Sequence, residues 1–174
     1  MLKSSMPPIA RPDATLFILG SLPGDASLAA QRYYAHPTNQ FWRLLGSAIG
    51  QQLDALPYEQ RLERLAERRI GLWDVVATAT RPGSLDQAIR NAGHNPIDRL
   101  REGFPQLRAV AFNGTAAASA GRRLFGVAGN VALLDLPSSS AANTRQFTEK
   151  AEAWAVLAQY CAPKGLPNAP TAPD

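Results

Sequence analysis

The sequence predicts an α/β fold, a parallel sheet covered on both faces by helices. Two observations carry this expectation. Four short apolar runs, Ala14 to Leu19, Ile70 to Ala77, Ala109 to Phe112 and Asn130 to Leu134, read as strands buried in a sheet core. Segments of helical spacing separate them, and strands that alternate with helices pair in parallel.

The elements follow in order. ATLFIL, residues 14 to 19, is a continuous apolar run ended by Gly20. From Asn39 to Ile49, the residues Phe41, Trp42, Leu44, Leu45 and Ile49 recur at helical spacing. Tyr58 to Arg68 is a charged amphipathic helix that turns Leu62 and Leu65 inward. IGLWDVVA, residues 70 to 77, is a second buried strand interrupted by Asp74. Ser84 to Asn91 reads as helical, capped by Ser84, and Pro96 to Arg101 as another short helix. AVAF, residues 109 to 112, is a third strand running into Asn113-Gly114, and the Ala-rich stretch Thr115 to Phe125 is a helix. Asn130 to Leu134 is the fourth strand, and Thr144 to Tyr160 the last helix.

The chain has 174 residues, 45% of them hydrophobic, enough for one core and too few for two independent domains. A single domain is expected over residues 1–163, followed by a disordered tail over residues 164–174, where Pro and Ala leave nothing bulky to bury. Lys and Arg exceed Asp and Glu by 18 to 14, a net charge of +4 that permits a polyanionic partner. The single cysteine, Cys161, excludes an internal disulfide, a Cys-rich zinc site and a four-cysteine cluster. No run reaches the ~18 apolar residues of a membrane span, and the N-terminus lacks the apolar core of a signal peptide. A soluble cytoplasmic protein is expected.

Ligands of open parallel sheets bind at the carboxyl ends of the strands. The unusual chemistry of this sequence follows those ends: GSLPGDASLAAQRYYAHPTN, DVVATATRPGS, Asn113-Gly114 and LPSSSAAN. Pro23 and Gly24 make a tight turn that brings backbone N–H groups close to a ligand or simply joins strand to helix. Phe41 and Trp42 suit a core, whereas Tyr34 lies in a loop from which a ring can stack on a base. His36 precedes a proline and so is extended; Asn39 stands where a helix cap is favoured. Asp74 inside GLWDVV needs a partner if buried, either an arginine such as Arg81 or a ligand N–H. The serines of LPSSSAAN suit phosphate oxygens or an ordinary polar turn, and Asn113-Gly114 a turn or a pocket wall.

In combination, GSLPGDASL with YYAHPTNQFW, then GLWDVVATATRPGSLDQAI, then FNG and LPSSSAAN resemble the uracil-DNA glycosylase superfamily, in particular its hypoxanthine-DNA (deoxyinosine) glycosylase branch. The resemblance runs from about Ala14 to Gln159. It implies a three-layer α/β/α sandwich around a four-stranded parallel sheet. It also implies a monofunctional base-excision repair enzyme that hydrolyses the N-glycosidic bond of a deaminated base, hypoxanthine first and uracil second. Carried over by position, Leu22, Pro23 and Gly24 form the turn under the flipped base, and Tyr34 stacks on it. Asp74 reads its Watson–Crick edge, with Asn113 as a further base contact. Asn39 is the catalytic residue, with Asp25 as a second electrostatic partner for the cationic sugar. His36, Ser138, Ser139, Ser140 and Asn143 contact DNA. No cofactor or metal is implied; the partner is double- or single-stranded DNA containing the damaged base, and a monomer is expected. Leu22 stands where relatives with strong uracil activity have Asp or Asn, and Leu136 where many have histidine.

The chemistry follows from these residues. Extrusion costs a few kcal/mol, least for a mispaired base. Ionised Asp74 would accept from N1–H of hypoxanthine and repel the bare N1 of adenine. Backbone N–H groups of residues 22 to 25 would stabilise charge on the leaving base. Asn39 would orient the attacking water or hydrogen-bond the base. Two other readings compete. GDASL resembles an esterase signature with Ser27 as nucleophile, but neither His36 nor His94 stands where its base belongs. A non-catalytic nucleic-acid-binding domain of the same fold is the other, with Leu22 and Leu136 as its support.

Overall fold

The computed structural model describes residues 1–127 and 129–163, so the expected tail lies outside the described residues. The strands are β1 (Leu2–Ser4), β2 (Leu16–Gly20), β3 (Ile70–Asp74), β4 (Val76–Thr80), β5 (Arg90–His94), β6 (Ala109–Asn113) and β7 (Ala132–Leu136). The α-helices are α1 (Asp25–Ala30), α2 (Phe41–Ile49), α3 (Tyr58–Glu67), α4 (Leu100–Gly103), α5 (Thr115–Phe125) and α6 (Phe147–Trp154).

The central sheet has four parallel strands in the order β3-β2-β6-β7. Every residue of β2 and β6 is buried, as an apolar run without alternation requires. On one face Leu16, Ile18, Leu72 and Ala111 meet Phe41, Leu44 and Leu45 of α2, Leu65 of α3 and Trp154 of α6. On the other, Phe17, Leu19, Val110 and Phe112 meet Leu100 of α4 and Ala117 and Phe125 of α5. The result is the three-layer α/β/α sandwich around a four-stranded parallel sheet.

Three segments depart from the sequence reading. The run Ile70 to Ala77 is two strands rather than one. Val75 and Val76 still donate backbone N–H groups to Gly20 and Ser21, and the chain then enters a second, antiparallel sheet of order β1-β4-β5. The helix expected over Ser84 to Asn91 is a single 3-10 turn at Asp86–Ala88 followed by β5. Ser84 is not a cap: its Oγ accepts the Asp25 N–H at 2.9 Å, while Asp86 Oδ1 accepts from Ser21 Oγ at 2.5 Å. These tertiary bonds, with the open edge of β4 to be paired, outweigh local helix propensity. The last helix begins only at Phe147, because Asn143 Oδ1 takes the Arg145 N–H into a turn, and it tightens to a 3-10 helix over Ala155–Gln159. Neither β1 nor α1 carries enough periodic apolar residues to be read beforehand. No helix among the described residues is long and apolar enough to cross a membrane.

Candidate active site

The strand register lines up the carboxyl ends, with Gly20 opposite Asp74, Leu19 opposite Phe112 and Asn113 opposite Leu136. The segments leaving these ends enclose a cavity of about 620 Å³, within the ~300–1,000 Å³ usual for small-molecule sites. Every candidate residue carried over above lines it, and Ser84 to Gln87 close a further side.

Asp74 and Gly20 form the floor. Asp74 is 3% exposed, and its Oδ2 has no hydrogen-bond partner among the described residues. Burial, then the nearby Asp86 carboxylate, push its pKa up from 3.8 to about 7, against a smaller downward pull from Arg81. Arg81 is therefore not the partner that the buried carboxylate needs. It is fully buried, and its guanidinium donates to the carbonyls of Leu22 at 3.1 Å, Pro23, and Gly83 at 3.0 Å. Arg81 ties the Pro23-Gly24 turn to the β4 wall, with Asp86 3.9 Å away as its nearest carboxylate.

Tyr34 sits at a positive φ of 54°, and its ring stacks on Phe41 with centroids 3.7 Å apart and planes 5° apart. One ring face is thus occupied by the core. Its hydroxyl points to the floor beside Gly20, buried and without a completed hydrogen bond. Burial and the Asp74 carboxylate raise the phenol pKa, and Asn113 opposes them weakly.

Asn39 is not the N-cap of α2, which is Gln40; it closes a turn into that helix and lines the cavity. Its Oδ1 accepts the Phe41 N–H at 3.0 Å, the first residue of α2, and the Ser139 Oγ–H at 2.8 Å. Ser139 Oγ accepts in turn from Asn113 Nδ2 at 2.8 Å, and Ser139 N–H donates to Asn113 Oδ1 at 2.9 Å. Ser139 is fully buried with both groups committed, so its side chain does not face a phosphate as expected; it joins three loops. Ser138 and Ser140 accept from backbone N–H groups two residues on, and Asn143 Nδ2 donates to the Ser138 carbonyl at 3.2 Å. Beneath this loop the buried Lys150 donates to Gln40 Oε1 at 2.9 Å and to the carbonyls of Asn143 at 2.8 Å and Ser140 at 3.4 Å. Burial lowers its pKa.

Asp25 is paired with Lys3, whose ammonium also reaches the Gly83 carbonyl. That cation offsets the charge expected to face the sugar. His36 is exposed, and its Nδ1 accepts the Thr38 N–H at 3.2 Å. Ser27, the rival nucleophile, is buried, and its Oγ accepts the Ala35 N–H at 3.1 Å without a histidine. Leu22 packs against Val76 and Ala79, and Leu136 belongs to the main core. Among the described residues no cluster of His, Cys, Asp or Glu could hold a metal ion.

The family model of the uracil DNA glycosylase superfamily matches residues 7–158. The chain belongs to the uracil DNA glycosylase superfamily. Its relatives include a hypoxanthine DNA glycosylase of Methanosarcina acetivorans, 39% identical over 92% of this chain and 100% of the relative. Another, of Methanosarcina barkeri, is 39% identical over 89% of this chain and 97% of the relative. A solution NMR structure from M. acetivorans, named for uracil DNA glycosylase, superposes with a TM-score of 0.81 at 38% identity, covering 91% of this chain and 98% of that one. In this superfamily member, the sequence reading did not place Lys3, Leu85 to Gln87 or Lys150 at the site, and it named Arg81 only as a partner for Asp74 and Ser84 only as a helix cap. A buried lysine in TEKAEAW and a buried arginine in TATRPGS carry no local signal, because charged residues in such contexts are ordinarily solvated.

Proposed function

We propose that this chain is a monofunctional DNA glycosylase that excises hypoxanthine from DNA, with uracil as a lesser substrate. The observation that carries the reading is Asp74, a buried carboxylate whose Oδ2 meets no hydrogen-bond donor among the described residues, on the floor of a cavity of a size to admit an extruded base. An uncommitted buried acceptor is costly unless a ligand N–H meets it. Hypoxanthine offers N1–H beside O6; adenine offers a bare N1, whose lone pair the ionised carboxylate repels, beside an amino group. Uracil presents N3–H and meets the same acceptor. The names of the curated relatives support the same base.

In this reading the strand-end turn of Leu22, Pro23 and Gly24 lies under the base, held by Arg81. Asn39 is the catalytic residue and Asn113 holds the opposite wall. His36, Ser138, Ser140 and Asn143 rim the cavity towards the DNA backbone. Asp25, neutralised by Lys3, acts as a weaker electrostatic partner. The net charge of +4 suits a polyanionic partner. The enzyme works as a cytoplasmic monomer on double- or single-stranded DNA.

The test is alkali-induced strand cleavage of matched oligonucleotides carrying one hypoxanthine, uracil, xanthine or adenine, with wild type and Asn39→Ala. Cleavage at hypoxanthine that is lost in the variant is expected. Cleavage mainly at uracil would change the substrate; no cleavage with DNA binding intact would make the chain a binding module.

A further inference from the structure

The hydrogen-bond network around Asn39 has a fixed polarity from end to end. A backbone N–H can only donate, so the Phe41 N–H identifies the acceptor atom of Asn39 as Oδ1. At the other end, the Ser139 N–H identifies the acceptor of Asn113 as its Oδ1. Asn113 must then present Nδ2–H to Ser139 Oγ, which leaves the single hydroxyl proton of Ser139 to point at Asn39 Oδ1. Two backbone groups from different loops therefore dictate every proton in between. Asn39 Oδ1 carries two donors and has no lone pair left for a third. What Asn39 offers the cavity it lines is Nδ2, whose N–H groups meet no acceptor among the described residues.

We infer that Asn39 works as a hydrogen-bond donor to the departing base, not as an acceptor that orients water, and that Ser139 is the positioning residue that fixes its amide. The inference rests on the glycosylase reading and assigns the role of one residue within it. As the bond between C1′ and N9 breaks, its electron pair leaves with the base, and negative charge spreads over the ring nitrogens and O6. An Asn39 N–H aimed at one of these atoms stabilises charge that the ground state lacks, which is the condition for acceleration. The C1′ cation takes the oxygen of a water molecule, and the proton that water sheds passes through solvent to the base, which departs neutral.

The two roles predict opposite behaviour for Asn39→Asp. An aspartate there keeps the bonds to Phe41 and Ser139 but turns an anionic acceptor towards the cavity. A donor role makes this variant as poor as Asn39→Ala near pH 8, about 10²–10³-fold below wild type in single-turnover rate. Its rate relative to wild type then rises as pH falls, because the protonated carboxyl regains an O–H donor. A water-orienting acceptor predicts the reverse: substantial activity at pH 8 and a ratio that falls with pH. Ser139→Ala lowers the single-turnover rate about 10-fold with DNA affinity changed less than about threefold, since only the aim of the amide is lost. An Asn39→Asp ratio that falls towards low pH, or a Ser139→Ala enzyme of wild-type rate, overturns the inference while leaving the glycosylase standing. A wild type that excises no base overturns both. If Ser139→Ala fails to fold, the pH course of Asn39→Asp decides by itself.

Discussion

Asp74 Oδ1 lies 2.7 Å from the point where a Cβ on Gly20 would stand, and the two residues face each other in register across β3 and β2. The Tyr34 hydroxyl approaches the same point to 3.1 Å. The glycine is the clearance that lets a carboxylate and a phenol share the end of a buried sheet. Gly20→Ala would push the carboxylate out of line. Excision should drop at least about 10-fold, and unfolding in urea should show a loss of about 1–3 kcal/mol from overpacking.

If Asp74 reads the base as proposed, its raised pKa should make base choice depend on pH. With a value of about 7 in the folded protein, the carboxylate is half ionised near neutrality. Hypoxanthine excision should rise through that pH as the acceptor forms. Discrimination against adenine should narrow below it, because a protonated Asp74 can donate to N1. Stability moves the opposite way. The folded value lies above the ordinary 3.8, so the contribution of this group is complete below about pH 4 and is lost as pH rises to about 7. Against Asp74→Asn, wild type should lose up to about 1.4 kcal/mol per pH unit across that window and nothing further above it. Denaturation of both proteins from pH 4 to pH 8 measures the difference.

Arg81 carries a prediction about shape. Its side chain is fully buried and bonded to the carbonyls of Leu22, Pro23 and Gly83. Arg81→Met keeps much of the volume and leaves those acceptors unpaired, which should cost about 1–3 kcal/mol in urea unfolding. The excision rate should fall with it, because the Pro23-Gly24 turn that lines the cavity is no longer held to the wall.

Leu85 is 59% exposed at the mouth of the cavity. Both its neighbours are hydrogen-bonded to the first strand-end loop, Ser84 to the Asp25 N–H and Asp86 to the Ser21 hydroxyl, and Leu85 between them points to solvent. The facing loop, Ser138 to Asn143, has only Ser, Ala and Asn. An apolar side chain held in this way suits entry into a base stack, where unstacking costs about a few kcal/mol per step. Leu85→Ala should slow excision from duplex DNA about 10-fold or more and change excision from single strands little, with Leu85→Met restoring the duplex rate. Equal losses on both substrates would remove the duplex role.

The sequence by itself determined the sandwich and the strand ends at which the candidate cavity lies. Continuous apolar runs such as LFIL can only be buried on both faces, which forces helices onto each side and puts the odd residues after the strand ends. Asn39, Asp74, Tyr34 and the serine loop stand on the segments that follow those ends, and the roles expected of them came from the resemblance of the motifs. The tertiary structure alone decided what those residues touch. Ser84 to Asn91 has helical propensity that the open β4 edge and two distant hydrogen bonds overrode. Tyr34 gave one ring face to Phe41. Ser139 turned from the surface inward to join Asn39 and Asn113, which are far apart in the chain. Lys150 and Arg81 became buried because backbone carbonyls from several loops meet around them. Burial, pKa and donor direction depend on which groups from distant segments surround an atom, and that is a property of the packed chain, absent from any local run of residues.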